Sequence, residues 1–390
     1  MVLIINLSNC QVGLIQFRVV WMMLHPHSMD HNLLRLVVIV GEFFAITPSR
    51  TKIGTLRTKI YAIGVIFVLM TASTLSVIYY RKPLYVNFSE VKLVVTIAMV
   101  LIVNVFNCYT VLAPVFCKRQ KYCQLMAKFI ENHHTPNFRT YVTFFTPNLV
   151  YWVVTFYVAY VWTDILGFDY YKEYFVEVVQ LYFQFYYNYF LCVVVRIFWE
   201  KYRNVNLLLS EQLVHMQSRQ FAEYEKFHAF IKRMEGLVCS IKELNETFND
   251  VFGWPIIMII LYSSLLLLNY LDDIFKNSFG YDNKQYIGVI ISNISVVFLT
   301  AVGTSVLILL CDSVLEEVKT TILLSYKIRQ YAVLKERKEI SEFINVVLHN
   351  SPQFTAAGFF SINKTTVFHM MGTVTTFFII IIQFNTNMKI

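Results

Sequence analysis

Seven stretches of this chain, residues 59–80, 91–116, 141–166, 174–199, 252–271, 286–312 and 365–386, are long and apolar enough to cross a bilayer as helices, for which about 20 residues suffice. The composition agrees: 57% of the 390 residues are hydrophobic, 15% are charged, and the mean hydropathy is +0.54. Disordered chains have the opposite balance, and a soluble enzyme could not bury this much apolar surface. We therefore expect an all-α integral membrane protein with seven transmembrane helices. An eighth run, 32–46, is short and carries Arg35 and Glu42, so it reads as an interfacial or re-entrant helix. The first 24 residues are also apolar, but they lack the basic start and small-residue cleavage site of a signal peptide.

Basic residues set the orientation. The formal net charge is +8, yet the Lys and Arg residues fall in the gaps between apolar runs and form no dense tract, which argues against a nucleic-acid partner. The N-terminal region with the gaps 117–140, 200–251 and 313–363 holds 23 of them, while the gaps 81–90, 167–173 and 272–285 with the C-terminus hold 6. Positive charge stays inside, so the expected topology is inverted: N-terminus cytosolic, C-terminus extracellular. A G-protein-coupled receptor has the opposite arrangement. None of the seven cysteines then reaches an outer loop, so no extracellular disulfide is expected. Their spacing suggests no metal site.

The organisation that follows has six parts. Residues 1–58 form a cytosolic or interfacial N-terminal region, and 59–199 hold transmembrane helices one to four. Residues 200–251 form a cytosolic helical anchor segment, and 252–312 hold helices five and six. Residues 313–364 form a second anchor segment with the lead-in to the last helix, and 365–390 hold helix seven with a short extracellular tail. The outer loops, 7 to 14 residues long, cannot build a separate ligand-binding domain. The inner gaps are long and carry apolar residues at helical spacing: Phe227, Phe230, Ile231, Met234, Leu237, Val238, Ile241, Leu244 and Phe248 in one, Leu315, Val318, Ile322, Tyr326, Phe343, Ile344 and Val347 in the other. They read as helices that continue beyond the membrane, packing either within one chain or between subunits.

No charge lies near the middle of any run; Lys59, Lys92, Asp164, Glu177, Arg196 and Asp312 sit near the ends, where long side chains reach the interface. This argues against an ion-coupled transporter. No nucleophile–base set, phosphate loop or HExxH occurs, so neither an enzyme nor a cofactor or metal requirement is expected. The last run is the most informative. Thr373, Thr376, Ile380, Gln383 and Phe384 recur at helical spacing on one face. An amide in hydrocarbon needs a partner or water, so Gln383 either packs against another helix or faces an aqueous pore.

The same segment carries a specific resemblance. Thr376, Phe377, the apolar run 378–382, Gln383 and Phe384 resemble the closing signature of insect gustatory receptors, Thr-Tyr, five hydrophobic residues, Gln-Phe, with Phe377 standing for Tyr. Upstream, Ala357-Gly358-Phe359-Phe360-Ser361-Ile362-Asn363 resembles the family's approach to that helix. The sharp motifs cover about the last 30 residues, and the runs, orientation and short outer loops fit more loosely over the whole chain. The resemblance implies a ligand-gated, non-selective cation channel passing monovalent and divalent cations. It also implies a homotetramer, or a hetero-oligomer with other gustatory receptors. The last helix would line the pore, and the cytosolic helices would serve as the assembly platform. It implies residence in the plasma membrane of gustatory receptor neurons, on their dendrites, among membrane lipid. Thr373, Thr376, Ile380, Gln383 and Phe384 would form the pore and gate.

For the small-molecule tastant, the resemblance implies a pocket in the outer half of the bundle. Glu177, Gln180, Gln184 and Asn188 recur at 3–4 spacing along the fourth run. Tyr157, Tyr160 and Trp162 of the third, Tyr262 and Asn269 of the fifth, and Tyr286 and Asn293 of the sixth lie at matching depth. Aromatic walls with a few polar groups suit small organic ligands, and we read a bitter or aversive compound. A sugar-type receptor, a metabotropic seven-helix receptor and a non-conducting partner subunit are the alternatives. Epitope tags separate the metabotropic reading. In intact cells a C-terminal tag should stain and an N-terminal tag should stain only after permeabilisation; the reverse result would refute the inverted topology.

Overall fold

The computed structural model describes residues 31–47, 56–85, 88, 90–130, 137–217, 224–277 and 283–387. Its helices are α1 (His31–Phe43), α2 (Leu56–Leu75, prolonged by a π-helical turn Ser76–Tyr80), α3 (Lys82–Tyr85) and α4 (Glu90–Leu112, prolonged by a π-helical turn Ala113–Cys117). There follow α5 (Arg119–Phe129), α6 (Phe138–Leu166), α7 (Asp169–Gln217), α8 (Tyr224–Asn277), α9 (Asn283–Tyr331) and α10 (Leu334–His349). A two-stranded hairpin, β1 (Thr355–Ala356) and β2 (Phe360–Ser361), leads into α11 (Lys364–Asn387). Six of the described helices are long and apolar enough to cross a membrane, and the seventh apolar run forms the 24-residue α11. The helices α7, α8 and α9 have 49, 54 and 49 residues. At 1.5 Å per residue each is roughly 75–80 Å long, far beyond a hydrocarbon core of about 30 Å.

The chain divides into two compact units. The first takes Met1–Leu191, Trp254–Val306 and Val367–Ile390, the second Cys192–Gly253 and Leu307–Thr366. In the first, α1 is tied to α7 by the buried Tyr186 hydroxyl, which donates to the Val37 carbonyl at 2.6 Å. Pro147 interrupts α6 and cannot donate to the carbonyl four residues back, that of Thr143. The buried Tyr189 hydroxyl of α7 supplies the missing donor to that carbonyl at 3.0 Å. A break in one helix is thus closed by a side chain of another, as lipid requires.

The second unit has a core of rows at 3–4 spacing: Phe198, Tyr202, Val205 and Leu209; Phe227, Ile231, Met234, Val238, Ile241, Leu244 and Phe248; Ile340, Phe343, Ile344 and Val347. On α9 the buried row is Val314, Val318, Thr321, Ser325 and Ile328, whereas Tyr326 is exposed and Leu315 and Ile322 are half-buried. The apolar pattern marked a face rotated from the one that packs, because Thr321 and Ser325 are buried as satisfied hydroxyls. Thr321 Oγ1 donates to Asn206 Oδ1 at 2.7 Å, Asn206 Nδ2 donates to Glu317 Oε2 at 2.7 Å, and Ser325 Oγ donates to the Thr321 carbonyl at 2.7 Å.

The hairpin's three-residue loop, 357–359, turns through Ala357 and Gly358 at φ 47° and 79°, both left-handed, and the Phe359 amide closes the turn on the Ala356 carbonyl at 2.9 Å. Its tip presses on α8: a Cβ on Gly253 would lie 2.5 Å from the Ala357 nitrogen. Asn249 clamps the strand on both sides, donating to the Gln353 carbonyl at 2.6 Å and accepting from the Thr355 amide at 3.0 Å. The start of α11 is capped by Asn363 Oδ1, which accepts from the Thr365 amide at 3.0 Å, and by Asp312 Oδ1, which accepts from the Lys364 amide at 3.3 Å.

Replacing Tyr189 by Phe should destabilise the protein by about 1–3 kcal/mol, since it leaves the Thr143 carbonyl without that donor in hydrocarbon. Adding Pro147→Ala should recover much of the loss, because an alanine amide can reach the same carbonyl. Thermal melts of the solubilised single and double variants measure this coupling; additive effects would refute the link.

Candidate functional site

The first unit holds a partly open cavity of about 410 Å³, within the range of small-molecule sites. Four long helices line it at helical spacing. From α7 come Tyr170, Tyr174, Glu177, Val178, Leu181, Gln184, Phe185 and Asn188. From α6 come Tyr151, Val154, Thr155, Val158, Trp162, Ile165 and Leu166; from α8 Ile259, Tyr262, Leu266, Asn269 and Tyr270; from α9 Val296, Leu299, Thr300 and Thr304. Arg81, Tyr85, Phe88 and the start of α4 complete the wall. Along α7 the lining runs from Tyr170 to Asn188, a distance of about 27 Å, so the space is elongated and parallel to the helices.

One part of the wall is charged and internally neutralised. Arg81 is only 4% exposed, and one guanidinium nitrogen lies 2.6 Å from Glu177 Oε2. Its Nε donates to the Glu173 carbonyl at 2.7 Å, and the guanidinium lies 4.4 Å from the centre of the Tyr174 ring. A buried cation needs this density of partners. Burial raises the Tyr85 phenol above its ordinary value, and the neighbouring Arg81 charge opposes that rise. Lys92 sits over the Phe88 ring at 4.6 Å.

The opposite part is uncharged and polar. It holds Gln184 and Asn188, whereas Tyr262 of α8 also borders a small void that Arg81 and Glu177 line. Gln184 Oε1, Asn188 Oδ1, the Tyr262 hydroxyl and Asn269 Oδ1 have no hydrogen-bond partner among the described residues and are closed off from the cavity's open space. A Cβ on Gly303 would lie 2.9 Å from Asn188 Nδ2, so that glycine makes room for the amide. Between the two polar parts the wall is apolar, with Leu181, Phe185, Val158 and Leu266.

Of the ten pocket positions expected from sequence, Trp162, Glu177, Gln184, Tyr262 and Asn269 line this cavity. Tyr157 and Tyr160 do not; Tyr160 is 74% exposed. The two tyrosines share Trp162's depth but occupy other faces of α6, and depth without facing misplaced them. Gln180 instead joins three helices: it donates to Asn104 Oδ1 at 2.8 Å, and Asn104 donates to Ser73 Oγ at 3.1 Å. It borders a separate 20 Å³ void with Ser76, Arg81 and Glu177, room for about one water. Asn293 is buried away from the main cavity, and the side chain of Tyr286 lies outside the described residues. Sequence reasoning missed Arg81, Tyr151, Tyr170, Tyr174 and Thr304. Tyr170 and Tyr174 continue the α7 stripe at 3–4 spacing and were legible in that pattern; Arg81 was not, because its role depends on a loop folding back onto α7.

On α11 the buried positions are Thr366, Met370 and Val374, four residues apart. Thr373, Thr376, Ile380 and Gln383 are exposed in the single chain. The side chain of Phe384 lies outside the described residues. Thr376 Oγ1 donates to the Gly372 carbonyl at 2.9 Å, which uses its one donor and leaves its oxygen free to accept.

The sequence profile of the 7tm chemosensory receptor family matches residues 34–388, nearly the whole chain. The chain belongs to that family. This receptor also shares its fold with the insect olfactory receptor OR5 of Machilis hrabei, with a TM-score of 0.63 and 15% identity over 90% of this chain and 97% of that one. The structure of the same receptor in complex with eugenol gives a TM-score of 0.62 and 14% identity over 91% and 100%. No curated protein matches the sequence. The family places the chain in the membrane as a multi-pass chemoreceptor, in agreement with its apolar helices.

If the cavity is open space, a larger side chain fits there without strain. Leu181→Trp should cost less than about 1 kcal/mol, whereas the same change at the fully buried Leu191 should cost about 1–3 kcal/mol through overpacking. Melting curves of the two variants test this; equal losses would mean the space is not there.

Proposed function

We propose that this chemosensory receptor is a gustatory receptor, a tastant-gated, non-selective cation channel in which four copies arrange their α11 helices around a central pore. The observation that carries the channel reading is the α11 face itself. Thr373, Thr376, Ile380 and Gln383 share it and are exposed in the single chain, and an amide there needs water or a partner. Around a fourfold axis each residue becomes a ring. Ile380 and Phe384 narrow and dewet the path, and Gln383 offers polar ligands to passing cations. Exposed apolar side chains of the second unit, Leu323 and Tyr326 on α9, are surface that contact between subunits would cover, which supports the assembly reading.

The tastant, a small organic compound of the bitter or aversive kind, occupies the cavity lined by α4 and α6–α9. Support comes from its volume and from the polar side chains on its wall, Glu177, Gln184, Asn188, Tyr262 and Asn269. The similar receptor from Machilis hrabei has been solved with a small organic molecule, eugenol. Binding shifts the gate only through a difference in affinity between closed and open states. Orientation is cytosolic at the N-terminus, and the site of action is the plasma membrane of gustatory neuron dendrites.

Expression of this chain alone in a heterologous cell should give ligand-evoked cation current. Gln383→Ala should change conductance or ion preference while leaving assembly intact on native gels. No current from the chain alone or with partner receptors, or a Gln383→Ala channel with wild-type permeation, would refute the pore assignment.

A further inference from the structure

The end of the first unit where α2 begins and α4 finishes is strongly basic. Arg57 and Lys59 lie in the first turn of α2, Lys118 follows the π-helical turn of α4, and Arg119, Lys121 and Lys128 lie on α5. From Phe43 to Ile130 the sequence holds one carboxylate, Glu90, at the other end of α4, about 33 Å away. Glu42 of α1 is near enough to the Tyr122 hydroxyl to act on it, which sets a carboxylate against six cations.

Two contacts bring these residues together and fix their depth. Ala62 and Ile66 of α2 pack with Val111 and Val115, and the Lys59 ammonium stands over the Phe116 ring at 5.7 Å. Lys118 and Lys121 follow Phe116 by two and five residues. The buried Tyr122 ring of α5 lies 6.4 Å from that of Phe190 on α7. Phe190 is nine residues inside the end of the apolar run 174–199, about 14 Å, so α5 folds back against the membrane-spanning part of α7. Its Tyr122, Leu125, Met126 and Phe129 are buried, while Lys121, Gln124 and Lys128 are exposed. Beside this rim Ile60, Ile63 and Phe67, 52–69% exposed, recur at 3–4 spacing along α2 and lead away from Lys59.

Charge and apolar surface thus adjoin at the depth of lipid head groups. The topology rule accounts for cations on this side, but not for their meeting an exposed apolar stripe. A soluble acidic protein would match the charge and not the stripe, and a neutral lipid the stripe and not the charge. We infer that this rim holds an anionic phospholipid, its phosphate on Lys59, Lys118 and Lys121 and an acyl chain along Ile60, Ile63 and Phe67. The inference needs only that the chain spans a membrane and is separate from the channel reading.

The test titrates the full chain, purified in a neutral detergent at low salt, with dioctanoyl phosphatidylserine, dioctanoyl phosphatidylcholine, glycerophosphoserine and inorganic phosphate, and follows binding by thermal stabilisation. Phosphatidylserine should bind about 10-fold or more tightly than phosphatidylcholine, since each basic residue beside an anionic head group is worth roughly a factor of 5. Glycerophosphoserine and phosphate should bind about 10-fold or more weakly than phosphatidylserine, because they lack the chains. A Lys59→Gln, Lys118→Gln double variant should cut the gap between the two lipids by about 5-fold or more. A Lys232→Gln, Lys319→Gln variant removes two cations of the second unit, each 2.8 Å from a carboxylate, and should leave the gap as it is. If the first double variant does not fold, Lys121→Gln, at an exposed position, should narrow the gap in the same direction. A smaller gap in the wild type, a gap that survives the substitutions on the rim, or one lost equally with Lys232 and Lys319 would overturn the site. Phosphate or glycerophosphoserine binding as tightly as phosphatidylserine would overturn the lipid and leave a site for free phosphate.

Discussion

In hydrocarbon, no solvent is available to a backbone amide or carbonyl, and the rest of this structure follows from that condition. Long helices satisfy it almost everywhere. Where hydroxyls occur on them, many fold back onto the carbonyl four residues earlier: Thr146 to Val142 at 2.7 Å, Thr163 to Ala159 at 2.6 Å, Ser295 to Ile291 at 2.7 Å. Such side chains are polar in the sequence and nearly silent on the surface. Interior prolines interrupt the pattern at Pro147 of α6 and Pro255 of α8; the break at Pro147 is closed by Tyr189, which couples α6 to α7 through a bond that neither helix makes alone.

Charge inside that frame is met by partners: the first unit pairs its most demanding group, Arg81, with a carboxylate, a carbonyl and a ring. The cavity beside it is also walled by the uncharged polar side chains of Gln184, Asn188, Tyr262 and Asn269. Unpartnered polar atoms occur among the described residues both on that wall and away from it, at Asn107, Ser292 and Asn293.

The spans were legible because apolar length is a one-dimensional property: each of the seven long runs read from the sequence lies within a helix or its π-helical prolongation, whereas the short run 32–46 outlasts its helix, which ends at Phe43. Facing was harder. On α6 aromatic residues surround the helix, so composition at a given depth could not separate Trp162, which lines the cavity, from Tyr160, which does not. On α9 the buried row includes Thr321 and Ser325, which hydrophobicity alone ranks below Leu315 and Ile322; only their hydrogen bonds explain the burial. The α7 stripe stood out in the sequence because three amides and a carboxylate at 3–4 spacing are rare in a membrane helix, and Glu177, Gln184 and Asn188 line one cavity. Even there Gln180 went to Asn104 and not to the main cavity. Arg81 required a contact between residues 96 positions apart, which no local pattern encodes.

The first turn of α11 is held from two sides, by Asn363 within its own lead-in and by Asp312 of α9, while its hairpin approach is wedged against Gly253. From Lys364 to Gln383 the helix measures about 30 Å, so leaning by about 5° carries the Gln383 amide sideways by roughly 2.5 Å and barely displaces Thr366. A small rotation at the first turn is thus amplified along the length of the same helix.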